Sequence, residues 1–142
     1  MQKSYKINSL EETKNLAEYV AEHLKTGQVI TLKGTLGSGK TYFTSCIINK
    51  LLNKKTDVLS PTFNIVKEYE AEGFSIYHFD LYRLKNRNEL YELDIENCFE
   101  NGISIIEWPE MADGAIYNIA MEIEIEITGE NERIFNIKNF DN

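Results

Sequence analysis

Cysteine, proline and long apolar runs are all scarce in this chain, and each scarcity excludes something. Two cysteines, Cys46 and Cys98, are too few for a disulfide framework or a zinc site, so reduced thiols in a cytoplasm are the simple expectation. No apolar run approaches the roughly 20 residues of a membrane-spanning helix. Nothing apolar follows Met1 to Lys6, so no signal peptide is expected and the protein reads as cytoplasmic, with no membrane partner. A basic surplus is also missing. The net charge of −8 argues against a large basic surface for nucleic acid, although service to a nucleic-acid enzyme through a protein partner stays open. With only Pro61 and Pro109 as prolines, and no repeat or low-complexity run, no linker is visible. Residues 1–142 are read as a single domain large enough for a real core.

What is present is concentrated in Gly34-Thr35-Leu36-Gly37-Ser38-Gly39-Lys40-Thr41. Glycine, four free positions and then Gly-Lys-Thr make the phosphate-loop pattern. Its context agrees. Val29 to Leu32 forms a short apolar run that reads as a buried strand, and Phe43, Ile47, Ile48, Leu51 and Leu52 recur at helical spacing behind the loop. Such a loop turns backbone N–H groups onto phosphate oxygens, and the helix N-terminus adds about half a positive charge. Lys40 can then reach the β- and γ-phosphates, and the Thr41 hydroxyl can ligate Mg²⁺.

The rest of the chain reads as α/β. Tyr5 to Ile7 suggests a short strand. Ser9 opens a helix with Glu12 in capping-box position, an apolar stripe of Leu10, Leu16, Ala17, Val20, Ala21 and Leu24, and a stop at Gly27. His23 reads as a surface histidine. Phe63 to Glu70 and Phe74 to Asp80 make a hairpin about Gly73. Asn86 caps a short helix, with a second helical piece over Ile95 to Phe99. Ile103 to Glu107 is a buried-looking strand ended by Pro109. Met121 to Thr128 alternates isoleucine with glutamate, a half-buried strand whose glutamates serve solubility and edge protection. Arg133 to Ile137 is a last strand, with Phe140 and the polar tail fraying behind it. The expected fold is an α/β phosphate-loop sheet with flanking helices and a small antiparallel portion.

A phosphate loop needs a carboxylate for Mg²⁺ or its waters, at the carboxyl end of a neighbouring strand. Asp80 ends one candidate strand and Glu107 another; spacing leaves open which of them binds directly. Ser60-Pro61-Thr62 lies one helix beyond the loop, where a threonine can sense the γ-phosphate. Asp80 is followed by Leu81-Tyr82-Arg83, without the glycine of a GTPase switch. The guanine-reading Asn-Lys-x-Asp pattern is missing, since Asn53-Lys54-Lys55-Thr56 fails at its last position. ATP is therefore favoured over GTP.

Together, Gly34 to Thr41, Ser60-Pro61-Thr62-Phe63, His78-Phe79-Asp80-Leu81-Tyr82-Arg83-Leu84 and Ile106-Glu107-Trp108-Pro109 resemble the bacterial TsaE (YjeE) proteins, small ATPases of the machinery that makes N6-threonylcarbamoyladenosine in tRNA. The resemblance covers nearly the whole chain. It implies that Gly37, Ser38, Gly39, Lys40, Thr41 and Tyr42 wrap the phosphates of ATP, that Thr41 and Glu107 ligate Mg²⁺ with Asp80 as the Walker B carboxylate nearby, and that Thr62 belongs to a switch-like loop. It further implies that Trp108 lies beside the nucleotide, with Leu10 and Arg133 contacting it from the first helix and the last strands. Lys40, Asp80 and Glu107 would carry slow hydrolysis. Arg83 is read as a structural pairing residue ahead of an arginine finger. TsaD- and TsaB-type proteins would be the partners, the transfer to tRNA belonging to TsaD, and tRNA contact by this chain at most indirect or weak. The sequence departs from the family pattern at Asp94, where glycine is common, and at Asn86 to Asn88, in place of an acid-proline turn. The alternatives are a small-molecule kinase using the same loop and a nucleotide-binding scaffold without hydrolysis.

Overall fold

The computed structural model describes residues 2–61, 65–112 and 114–140. Its framework is a seven-stranded sheet: β1 (Gln2–Ile7), β2 (Val29–Lys33), β3 (Val66–Ala71), β4 (Phe74–Asp80), β5 (Gly102–Glu107), β6 (Ile119–Ile127) and β7 (Arg133–Asn139), in the order β1-β7-β6-β2-β5-β4-β3. The helices are α1 (Leu10–Glu22), α2 (Lys40–Leu52), α3 (Asn88–Glu92) and α4 (Ile95–Asn101), with a 3₁₀ turn at Pro109–Ala112. β2 pairs in parallel with β5 and β6, and β4 in parallel with β5. The two flanks, β1-β7-β6 and β4-β3, are antiparallel. β1, β6, β2, β5 and β4 therefore all point the same way, and their carboxyl ends share one rim.

Side-chain alternation explains the layers. Ile30 and Leu32 of β2, Ile76 of β4, Ile105 of β5, Ile123 and Ile125 of β6, and Phe135 and Ile137 of β7 face α1 and α2, whose Leu16, Val20, Phe43, Ile47 and Ile48 close that core. The opposite face buries Phe79, Ile106 and Val29 under α4, through Ile95, Cys98 and Phe99. Gly102 opens β5 without a side chain because a Cβ there would stand 2.6 Å from the Ser75 carbonyl and 2.5 Å from the Tyr77 ring.

Several expectations need correction. Leu10 does not join the stripe of α1. As the helix's first residue it overhangs the end of the core and is 67% exposed, while Thr13 supplies the buried position one turn on. The helix ends at Glu22, five residues before Gly27, because the His23 amide already turns back to the Val20 carbonyl. The strand expected from Phe63 begins at Val66; Thr62, Phe63 and Asn64 lie outside the described residues. Asn86 does cap the chain ahead of α3, but one residue early: its Oδ1 accepts from the Asn88 amide, and Arg87 is the cap position. The isoleucine–glutamate strand is no edge. β6 lies between β2 and β7, and of its alternating isoleucines Ile127 is exposed. Phe140 is tied down, its amide donating to the Ala120 carbonyl.

Asp94 adopts φ +55 at the start of α4, the left-handed region in which glycine is at home. This chain meets the conformation with aspartate, a residue that tolerates it.

Candidate functional site

The shared carboxyl rim gathers every candidate except one. Thr62 lies outside the described residues. The loop after β2 is shaped by close approach at one end and openness in the middle. A Cβ on Gly34 would meet Ser38 Oγ at 2.6 Å and the Ile125 carbonyl at 3.0 Å. Gly37 and Gly39 take φ +81 and +106, and a Cβ on either would meet nothing within 4 Å. α2 starts directly behind, at Lys40, so its first-turn amides, which have no intrahelical acceptors, point into the loop. The Ser38 hydroxyl is buried without a partner among the described residues.

Lys40 is only 5% exposed. Its Nζ donates to the carbonyls of Gly34 and Thr35 and stands 4.3 Å from the centroid of the Trp108 ring, a cation–π distance. Burial lowers its pKa, and the charges of Glu107, Asp80 and Glu110 pull the other way. A lysine ammonium desolvated in this manner gains strongly from an anion placed against it.

Thr41 follows on the same turn. Its Oγ1 lies 2.9 Å from Ser60 Oγ and 3.4 Å from Glu107 Oε1. Glu107 closes β5 at 2% exposure, and its second oxygen lies 2.5 Å from His78 Nε2. Asp80 stands opposite Glu107 in the β4–β5 register; its Oδ1 accepts from the Tyr82 amide, which fixes the carboxylate at the strand's end. A cleft of about 300 Å³ takes in Gly37, Lys40, Thr41, Ser60, Asp80 and Glu107. Trp108 borders it in a left-handed conformation, φ +60, a strained state for a bulky residue. It is held by a hydrogen bond from its backbone amide to the Leu32 carbonyl and by the Tyr82 ring at 4.8 Å.

A second depression adjoins the first. Leu10, Ser38, Gly39, Tyr42, Asn131 and Arg133 all line it. Tyr42 reaches the Leu10 carbonyl through its hydroxyl at 3.4 Å. Arg133 donates from Nε to the Ser38 carbonyl at 3.2 Å, and from Nη1 to the Gly129 and Glu132 carbonyls at 3.0 Å each. Its guanidinium thus bolts the final hairpin onto the loop. Arg83 is exposed in a groove on the other side, near Leu36, Ser60 and Asp80, and among the described residues it has no ion pair, so the expected structural pairing does not materialise there.

Two site residues went unread in the sequence. In the Ser60-Pro61-Thr62 turn the expectation falls on Thr62, and the Ser60 hydroxyl meets Thr41. His78 enters the resemblance as part of a motif without a role of its own; its spacing, two residues before Asp80 on the same strand face, is the signal that marks it.

Comparison with known proteins points to one family. The family model described as threonylcarbamoyl adenosine biosynthesis protein TsaE matches residues 7–135. A Rickettsia felis protein named tRNA threonylcarbamoyladenosine biosynthesis protein TsaE is 40% identical over 131 residues, 92% of this chain and 77% of that one. A Bacillus subtilis protein of the same name is 37% identical over 123 residues, 87% of this chain and 77% of its own. The crystal structure of Bacillus subtilis YdiB superposes with a TM-score of 0.81 at 29% identity, covering 98% of this chain and 86% of that one.

Proposed function

The chain belongs to the TsaE family, whose members act in tRNA threonylcarbamoyladenosine biosynthesis, and on that premise we propose that it binds ATP with Mg²⁺ and hydrolyses it slowly in support of that pathway. One observation carries the reading: Lys40, Thr41, Asp80 and Glu107 meet in a single cleft at the N-terminus of α2. The residues suit the groups. An open loop of amides and one desolvated ammonium fit a polyphosphate. A hydroxyl and a buried carboxylate, Thr41 and Glu107, fit a cation that takes few protein ligands and shares the rest with phosphate oxygens.

Mg²⁺, when bound, would offset charge on the β- and γ-phosphates. The remaining contributions come from the chain itself. Gly37 to Tyr42 orient the phosphates through their amides. Lys40 exchanges its contacts with the loop carbonyls for phosphate oxygens. Asp80, held by the Tyr82 amide, orients the attacking water. Leu10, Tyr42 and Arg133 border the place for the rest of the nucleotide, and Trp108 shields the phosphate end from solvent. Among the described residues no arginine points into the cleft as a finger, so hydrolysis is slow until TsaD- and TsaB-type partners complete the site.

The test is calorimetric titration of ATP with Mg²⁺, followed by phosphate release with and without those partners. Lys40→Ala should abolish hydrolysis, and Glu107→Ala should remove the Mg²⁺-dependent part of binding. Undiminished turnover by Lys40→Ala would refute the phosphate role. A phosphorylated metabolite accumulating in place of free phosphate would favour the kinase alternative, and tight ATP binding with no release, even in the reconstituted complex, the scaffold.

A further inference from the structure

We infer that His78 is a positioning residue, one that aims the Glu107 carboxylate at Thr41; the inference rests on the reading of Thr41 and Glu107 as the metal-binding pair. β4 carries His78 into the core at 0% exposure, between Tyr77 and Phe79, which point to the opposite face. β5 carries Glu107 to the rim. The parallel register sets His78 beside Ile105 and Asp80 beside Glu107, so the imidazole lies one step deeper than the carboxylate. From there Nε2 meets Oε2 at 2.5 Å, while Oε1 is left facing Thr41 Oγ1 at 3.4 Å. The two oxygens of one carboxylate are thereby given separate duties: the inner one is anchored and the outer one presented.

The tautomer follows from the hydrogen-bond pattern. Nδ1 is buried and has no partner among the described residues. A proton there would be an orphaned donor, whereas a proton on Nε2 has a carboxylate to receive it. His78 therefore donates from Nε2 and keeps a bare Nδ1. Packing alone does not call for such a residue. An aliphatic side chain would fill the position beside Ile76 and Ile105 without an unsatisfied nitrogen, but it would leave the inner oxygen of the buried Glu107 carboxylate without its donor. What the imidazole supplies is direction. A glutamate has three free side-chain torsions, and a hydrogen bond to its far oxygen removes the choice of which way the near one points, as partners behind metal-ligating carboxylates do.

The experiment compares wild type, His78→Leu and His78→Gln. Glutamine places an amide donor about where Nε2 stands; leucine fills the volume and donates nothing. ATP binding is followed through Trp108, the only tryptophan, first in EDTA and then across a Mg²⁺ titration, with thermal unfolding as the check on folding. The three proteins should bind ATP alike in EDTA. The Mg²⁺ half-saturation point should rise about ten- to a hundredfold in His78→Leu and stay near wild type in His78→Gln. A leucine variant with wild-type Mg²⁺ response, or a glutamine variant as impaired as leucine, would overturn the positioning role alone. A wild type that binds ATP without regard to Mg²⁺ would overturn the metal reading and this role with it. Nitrogen NMR of unmodified protein gives an independent readout. There are two histidines, and the buried one should show a protonated Nε2 and a bare Nδ1 with no metal or nucleotide added; the reverse tautomer would refute the hydrogen bond itself.

Discussion

Gly34 and Gly37 belong to one loop but answer to different constraints. A methyl on Gly34 collides with Ser38 Oγ and the Ile125 carbonyl, so Gly34→Ala should cost about 1–3 kcal/mol of stability through overpacking. Adding Ser38→Ala should recover part of that loss, because only one of the two obstacles is a side-chain atom; a denaturant double-mutant cycle reads the coupling. Gly37→Ala meets open space and should pay only the left-handed backbone cost, about 1–2 kcal/mol, with no rescue by Ser38→Ala. Cys98 gives a prediction in pH. Burial first, then the charges of Asp94 and Glu68, raises its thiol from 9 to about 11. The folded state holds this proton more firmly than the unfolded chain. Its contribution is therefore fully present below pH 9 and is lost as pH climbs through about 11. The stability advantage of wild type over Cys98→Ala should shrink across that interval, as followed by urea midpoints. At this scale the loop, Lys40 and Thr41 were legible because their spacing is their chemistry. His78 was not, since a histidine inside an apolar run carries no label saying which neighbour it will face.

Among the elements, α1 repays attention at its first turn. Ser9 Oγ accepts from the Glu12 amide, while Glu12 reaches back to the Asn8 amide. Ser9→Ala should cost about 1 kcal/mol, measurable by thermal unfolding. It should also weaken nucleotide binding modestly, because the same turn sets Leu10 over the depression beside the loop. Phe135 of β7 packs on Phe43 of α2 with centroids 4.9 Å apart; Phe135→Ala should cost about 3–5 kcal/mol by calorimetry and loosen β7 from the loop. β2, α2, the β3–β4 hairpin and β5 were readable from periodicity and glycine placement. The location of β6 was not. Alternation reports which side chains are wet, and a strand with one uncovered face looks the same at an edge as between two neighbours. Glu122 and Glu124 lie on such a face, opposite Lys138 and Lys33 in the register of the ladders, so they do not guard a free edge.

For the molecule as a whole, the charge of −8 sets the expectation that isolated protein binds tRNA weakly, and more weakly still as salt rises. Fluorescence anisotropy at low ionic strength checks this, and tight binding that resists salt would contradict it. The sheet order has an effect of its own. β7 lies between β1 and β6, and Arg133 at its start holds the Ser38 carbonyl. During synthesis on a ribosome, β1 therefore emerges without its neighbour, and the phosphate loop leaves the tunnel long before the arginine that braces it. The brace on the loop comes with the closing hairpin, so a nascent chain halted ahead of residue 133 would carry the whole glycine motif and still lack its clasp.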